Sequence, residues 1–217
     1  MKKTIITPFL LLFIFCIARA HTIDYELDPM EDGEVFSKYL GLGYTHILPL
    51  GLDHVLFILC VFFLNTDIKK VLIQATMFTL AHSITLGLAV YGYIQAPPNI
   101  IEPIIALSIV FLAIENLLSE KVKPWRMLMV FLFGLVHGLG FAGALGDLGM
   151  PRYAFFNALI SFNVGVELGQ LTVIALMYFV VAKPFSKKPW YRTRIVMPSS
   201  LLIALIAAYW TVERIFF

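Results

Sequence analysis

Residues 46–64 read HILPLGLDHVLFILCVFFL. From position 52 onward the run is apolar enough for a membrane helix, yet it carries Asp53 and His54, with His46, Pro49 and Gly51 just ahead of them. An ionisable side chain in hydrocarbon is costly unless it is paired, so such residues mark function by default. Pro49 lacks a backbone donor and frees a carbonyl one turn back, near Thr45, which predicts a kinked entry to this span.

Working outward, the whole chain has the composition of a membrane protein. Its 217 residues are 60% hydrophobic and 14% charged, with a mean hydropathy of +0.87. A soluble domain of this length cannot bury so much apolar surface. The net charge of +2 gives no reason to expect a nucleic-acid partner. No nucleotide-binding motif is present, which excludes ATP hydrolysis by this chain. Residues 1–20, MKKTIITPFLLLFIFCIARA, put two lysines before a short apolar stretch and end on the small-x-small pattern Ala18-Arg19-Ala20. That is the pattern of a cleaved signal peptide. Bulky Phe15 before Cys16 argues against a lipoprotein site, and the mature chain keeps only Cys60, so disulfides play no part.

Six stretches of the remaining chain can cross about 30 Å of hydrocarbon at about 1.5 Å per residue. They cover residues 44–64, 71–93, 100–118, 127–145, 153–182 and 196–217, joined by short polar turns. The expected architecture is therefore all-α: an acidic periplasmic segment, 21–43, followed by a six-helix transmembrane domain, 44–217. Lys69, Lys70, Lys121, Lys123, Arg126, Lys183, Lys187, Lys188, Arg192 and Arg194 fall in the first, third and fifth connections, against Lys38, Arg152 and Arg214 on the other side. The positive-inside rule then puts those connections in the cytoplasm and both mature termini outside, as a signal peptide also requires.

Counting along the spans brings polar groups from four helices to one depth. Asp53 and His54 lie about 14 Å into the first span, His82 and His137 near the middle of the second and fourth, and Asn163, Glu167 and Gln170 along one stripe of the fifth. His46 shares a helical face with Asp53. Imidazoles and carboxylates at one layer suit a first-row divalent metal, so His46, Asp53, His54, His82, His137 and Glu167 are the candidate ligands. Thr79, Ser83, Asn163 and Gln170 would orient the rings. The same groups could instead form a hydrogen-bonded network that only fastens the bundle. Gly134 and Gly138 around His137, and Gly165 and Gly169 in the fifth span, allow close helix approach. Glu115 and Asn116 read best as snorkelling at the inner interface, and Glu102 as a favourable helix-start carboxylate. The acidic residues Asp24, Glu26, Asp28, Glu31, Asp32 and Glu34 would either concentrate cations at an outer mouth or form a solvated tether. Cleavage after Ala20 would leave His21 as a chelating N-terminus.

Four motifs in this order, GLDHVLFIL (51–59), AHSITL (81–86), FGLVHGLGFAGAL (133–145) and FNVGVELGQL (162–171), resemble the HupE/UreJ family of bacterial membrane proteins. The resemblance implies a six-span protein of the bacterial inner membrane and a metal role for Asp53, His54 and His137. The family's best-studied branch consists of nickel permeases. This chain is similar to its second branch. His46 precedes Asp53 by one residue more than the nickel-permease branch's pattern has, and Gly140 to Gly143 lack that pattern's second His and its Glu. Glu167, by depth, is the candidate to replace that carboxylate.

The leading functional reading is transport of a divalent transition metal, Ni²⁺ or Co²⁺ first and Zn²⁺ next, as cargo and with no tightly bound cofactor. An intramembrane zinc hydrolase with Glu167 as base, a membrane assembly factor for a metalloenzyme, and a haem protein are the alternatives. The partners expected are the lipid bilayer and the metal ion, and a homo-oligomer is compatible with the sequence.

Overall fold

The computed structural model describes residues 30–217 apart from 66 and 148. The expected signal peptide, Cys16, His21, Asp24, Glu26 and Asp28 lie outside the described residues. The described chain is helical, with no strand among these residues. Its long helices are α1 Asp32–Ile47, α2 Leu52–Leu64, α3 Ile68–Val90, α4 Pro98–Leu118, α5 Arg126–Asp147, α6 Phe155–Met177 and α7 Met197–Phe216. A wide turn, Tyr178–Ala182, extends α6, and another, Arg192–Val196, leads into α7. Five helices are long and apolar enough to cross a membrane, and α1 with α2 qualifies as a sixth span broken by a 66° bend. The protein is a multi-pass, all-α membrane protein.

The break follows from the stretch HILPLGLDH. Pro49 cannot donate to a helical partner, and Gly51 takes a non-helical conformation (φ −90°, ψ 66°). The carbonyl of Thr45 is satisfied across the break by the Leu50 N–H at 3.2 Å, so the kink leaves no orphan there. A side chain at Gly51 would collide with the His46 carbonyl. The bend is sharper than a kinked continuous helix: α1 ends and α2 starts afresh.

Helix α1 begins at Asp32, well ahead of the expected span start at Tyr44. Asp32 and Glu34 occupy its first turn, where carboxylates oppose the positive end of the helix dipole, and Glu34 accepts from the Glu31 N–H at 3.3 Å. Half of the acidic segment is thus a helix start rather than a loose tether.

Three helix pairs, α1 with α6, α3 with α5 and α4 with α7, surround α2. In lipid, close backbone contact rather than water exclusion holds helices together. A methyl group on Gly165 would collide with the Leu40 carbonyl, and one on Gly43 with the Phe162 carbonyl. Every residue of α2 from 56 to 63 is buried, so this helix has no lipid face and reads as apolar all round. Outward stripes at three- and four-residue spacing meet the lipid instead, such as Ile104, Leu107, Phe111, Ile114 and Leu118 on α4.

Below α2 the structure corrects the reading of Glu115 and Arg126. Glu115 does not snorkel to the interface, and Arg126 is not a loop charge: their side chains form a buried ion pair. Arg126 is 0% exposed and also donates to the Gln74 Oε1 at 3.3 Å, the Asn116 Oδ1 at 3.4 Å and the Cys60 carbonyl at 2.8 Å. A guanidinium with this many acceptors can be buried where a lone charge could not. Cys60 is buried and free. Arg192 wraps the end of α4, donating to the Asn116, Leu117 and Ser119 carbonyls at 2.8 to 3.3 Å.

Candidate metal centre

The bend brings the last turn of α1 and the first turn of α2 around one point. His46 and His54 meet there with ring centroids 4.6 Å apart. His82 of α3 lies 5.9 Å from His46 and 5.8 Å from His54 by the same measure. One nitrogen from each of these three imidazoles lies within 4.8 Å of the other two. His137 of α5 stands 5.0 Å from His54, centroid to centroid, as a fourth ring at the edge of the group. Gly138 lets α5 come this close, because any side chain there would collide with the His82 carbonyl and the Thr85 hydroxyl.

The surroundings are buried and aromatic. Phe141 lies 3.8 Å from the His46 ring and is stacked on Phe162, while Phe78 lies 5.0 Å from His137 and 5.7 Å from His54. His54 is 6% exposed, His82 0% and His137 1%. His46 Nε2, His54 Nε2, His82 Nε2 and His137 Nδ1 are buried and have no hydrogen-bond partner. Each such orphan costs about 1–3 kcal/mol, so the three of the close group, with His137 beside them, call for a common ligand.

Neighbouring polar groups hold the second nitrogen of two rings, and for His82 they decide which nitrogen is the lone pair. The Asn163 Nδ2 donates to the Leu159 carbonyl at 2.8 Å, which turns its Oδ1 toward His82. That oxygen can only accept, so His82 Nδ1–H donates to it at 3.4 Å and Nε2 carries no proton. On α4, the Ser108 hydroxyl donates to the Ile105 carbonyl at 2.7 Å. The same hydroxyl lies 3.1 Å from His137 Nε2, so Nε2 is the partnered nitrogen of that ring and Nδ1 the unpartnered one. In His82 the orphaned nitrogen is the basic one, which is the tautomer a metal ion takes.

Among the described residues the close donor group holds three imidazoles and no carboxylate. Asp53, expected as a ligand, is turned away: successive residues of a helix point about 100° apart, and the new helix start sends His54 inward and Asp53 to the side. There it accepts from Arg214 Nη2 at 2.9 and 3.2 Å, and Arg214 also donates to the Glu102 carbonyl at 3.1 Å. Glu167 is likewise outside the cluster. Its two oxygens accept from the Thr76 hydroxyl at 2.7 Å and the Thr79 hydroxyl at 2.5 Å. Of the four residues expected to orient rings, Asn163 touches His82, while Thr79 binds Glu167, Ser83 donates to the Thr79 carbonyl at 2.6 Å, and Gln170 has no partner for either amide atom. Ser108 was missed; a serine in an apolar span gives no signal until the fold places a histidine beside it.

A family model described as HupE / UreJ protein matches residues 22–214. The chain belongs to the HupE/UreJ family. No curated protein and no solved structure matches it. The matched stretch contains every imidazole of the cluster, so the centre lies inside the family's own domain.

Proposed function

We propose that this HupE/UreJ protein carries a divalent transition-metal ion, nickel or cobalt, across the inner membrane, and that His46, His54, His82 and His137 hold the ion on the way. One observation carries this reading: three imidazoles converge at the break of a membrane helix with a fourth beside them, and each keeps a buried nitrogen without a hydrogen-bond partner. Imidazole suits nickel, cobalt and zinc, and the family is linked to nickel and cobalt transport. Irregular backbone at membrane depth is tolerated where it lines such a site, and broken helices place binding sites in transporters in this way. The carbonyl end of α1, bearing His46, turns the negative end of its dipole to a cation.

Neutral rings with no carboxylate among them favour passage over permanent retention. Among neutral donors the ion keeps its full charge, so it binds firmly enough to enter and loosely enough to leave. The residue that a hydrolase would need as base, Glu167, is held by two threonines instead. With the basic connections in the cytoplasm, the broken span opens toward the periplasm and the Arg126 network lies on the cytoplasmic side.

The test is accumulation of Ni, Co, Zn and Cu in a strain deprived of its own nickel uptake. The protein should raise nickel or cobalt content, and His54→Ala and His82→Ala should abolish the gain. Unchanged accumulation of every metal would overturn the reading.

A further inference from the structure

The polar groups of the α3–α6 seam continue past the imidazoles in register. Asn163, Glu167 and Gln170 follow one another at spacings of four and three on α6, and so share one face. Opposite them on α3 stand His82, then Thr79 and Thr76, then Gln74. The contacts pair these in order: His82 with Asn163, Thr79 and Thr76 with Glu167, and Gln74 with Gln170 across a small apolar-walled cavity. Gln74 in turn accepts from Arg126. A polar ladder thus runs from the cluster to the buried ion pair of the cytoplasmic half, each rung about 4.5–6 Å from the last.

Glu167 differs from the other carboxylates of the bundle. Asp53 is paired with Arg214 and Glu115 with Arg126. The groups that meet Glu167 among the described residues are two hydroxyls, one on each oxygen. Among the described residues no cationic side chain pairs with its carboxyl group, whose threonine partner Thr79 lies one helical turn from His82. A second observation points the same way. Gln170 is 1% exposed, yet its Oε1 and Nε2 both lack partners, and it lines the cavity with Gln74, Phe57 and Phe78. A buried primary amide left unmatched wants a polar guest.

We propose that the α3–α6 seam is the ion's route inward, and that Glu167, with the hydroxyls of Thr76 and Thr79, forms a transit station of oxygen donors for the same divalent cation. This rests on the transport reading above. An ion leaving neutral nitrogen donors gains a carboxylate that offsets part of its charge, while hard oxygen ligands hold a borderline metal less tightly than imidazole does. Gln170 then takes the partly rehydrated ion or its water toward the cytoplasmic half. The station gives the ion a next step between Asn163 and Gln170 on the same face of α6.

The experiment compares purified wild type with Glu167→Gln, Gln170→Leu and His82→Ala. Equilibrium binding of Ni²⁺ and Co²⁺ is measured in detergent, and influx of each ion into proteoliposomes is followed with a trapped metal-sensitive dye. Glu167→Gln is isosteric and retains a partner for each threonine; size-exclusion profiles check that each variant is folded. The expected result is binding within about twofold of wild type for Glu167→Gln and Gln170→Leu, with influx slowed at least about tenfold for the former and less for the latter. His82→Ala should lose both. Wild-type influx rates in Glu167→Gln would overturn the station, and so would loss of equilibrium binding, which would make Glu167 a ligand of the imidazole site. A wild type that binds the ion but moves none into liposomes would sink the transport reading itself.

Discussion

Asn163→Ala tests how the structure assigns protons in the cluster. In the wild type, His82 Nδ1–H rests on the Asn163 Oδ1 at 3.4 Å and Nε2 is a buried lone pair without a partner. Removing the amide leaves the apo ring free to move its proton to Nε2, where it blocks the ligand position. Binding then requires the other tautomer, with Nδ1–H buried and without an acceptor. That orphan costs about 1–3 kcal/mol. At about 1.4 kcal/mol per decade the affinity for Ni²⁺ or Co²⁺ should fall about 10- to 100-fold, the range seen when a ligand histidine loses its outer partner. Isothermal titration of detergent-purified protein measures this directly, with His82→Ala as the reference for loss of the ligand. Asn163→Ala binding within twofold of wild type, while His82→Ala binds poorly, would refute the tautomer assignment.

Three further outcomes follow from the same structure. Asp53→Asn should lower the thermal transition, since its bond to Arg214 is charge-assisted and worth about 1.5–3 kcal/mol, yet leave metal affinity within about threefold; a loss of binding without loss of stability would make Asp53 a ligand after all. Arg126→Met should cost about 3–5 kcal/mol by stranding Glu115, and the double change Glu115→Leu with Arg126→Met should recover much of it, as a denaturation series in mixed micelles would show. Gly138→Val should push α5 away from α3, because its side chain meets the His82 carbonyl, and should cost at least about tenfold in metal affinity while the helix content by circular dichroism stays unchanged.

Much of this protein is legible from helix length and depth. Hydropathy locates the spans, and simple counting puts His54, His82 and His137 in one layer, because rise per residue in a helix is nearly fixed. What counting cannot give is rotation about a helix axis once the chain breaks. Treating residues 44–64 as one kinked helix put His46 and Asp53 on a shared face; the restart at Leu52 joins His46 to His54 and sends Asp53 to Arg214. Glu167 was drawn to the cluster by depth alone, although it points into the seam one turn away. Arg126 looked like a loop charge because it follows Lys121 and Lys123, and only the packing of α5 against α4 shows Glu115 waiting for it. Ser108 carries its role through a contact with a residue on another helix, which no local pattern records.

The central claim is that the imidazoles of α1, α2, α3 and α5 form one metal centre. Metal K-edge X-ray absorption on the purified protein loaded with one equivalent of nickel or cobalt reads the ligands themselves. The account predicts three or four nitrogen scatterers at about 2.0–2.1 Å with the outer-shell pattern of imidazole rings, reduced by one in His46→Ala. An oxygen-only shell, or a spectrum the same in wild type and in a His54→Ala, His82→Ala double variant, would contradict it.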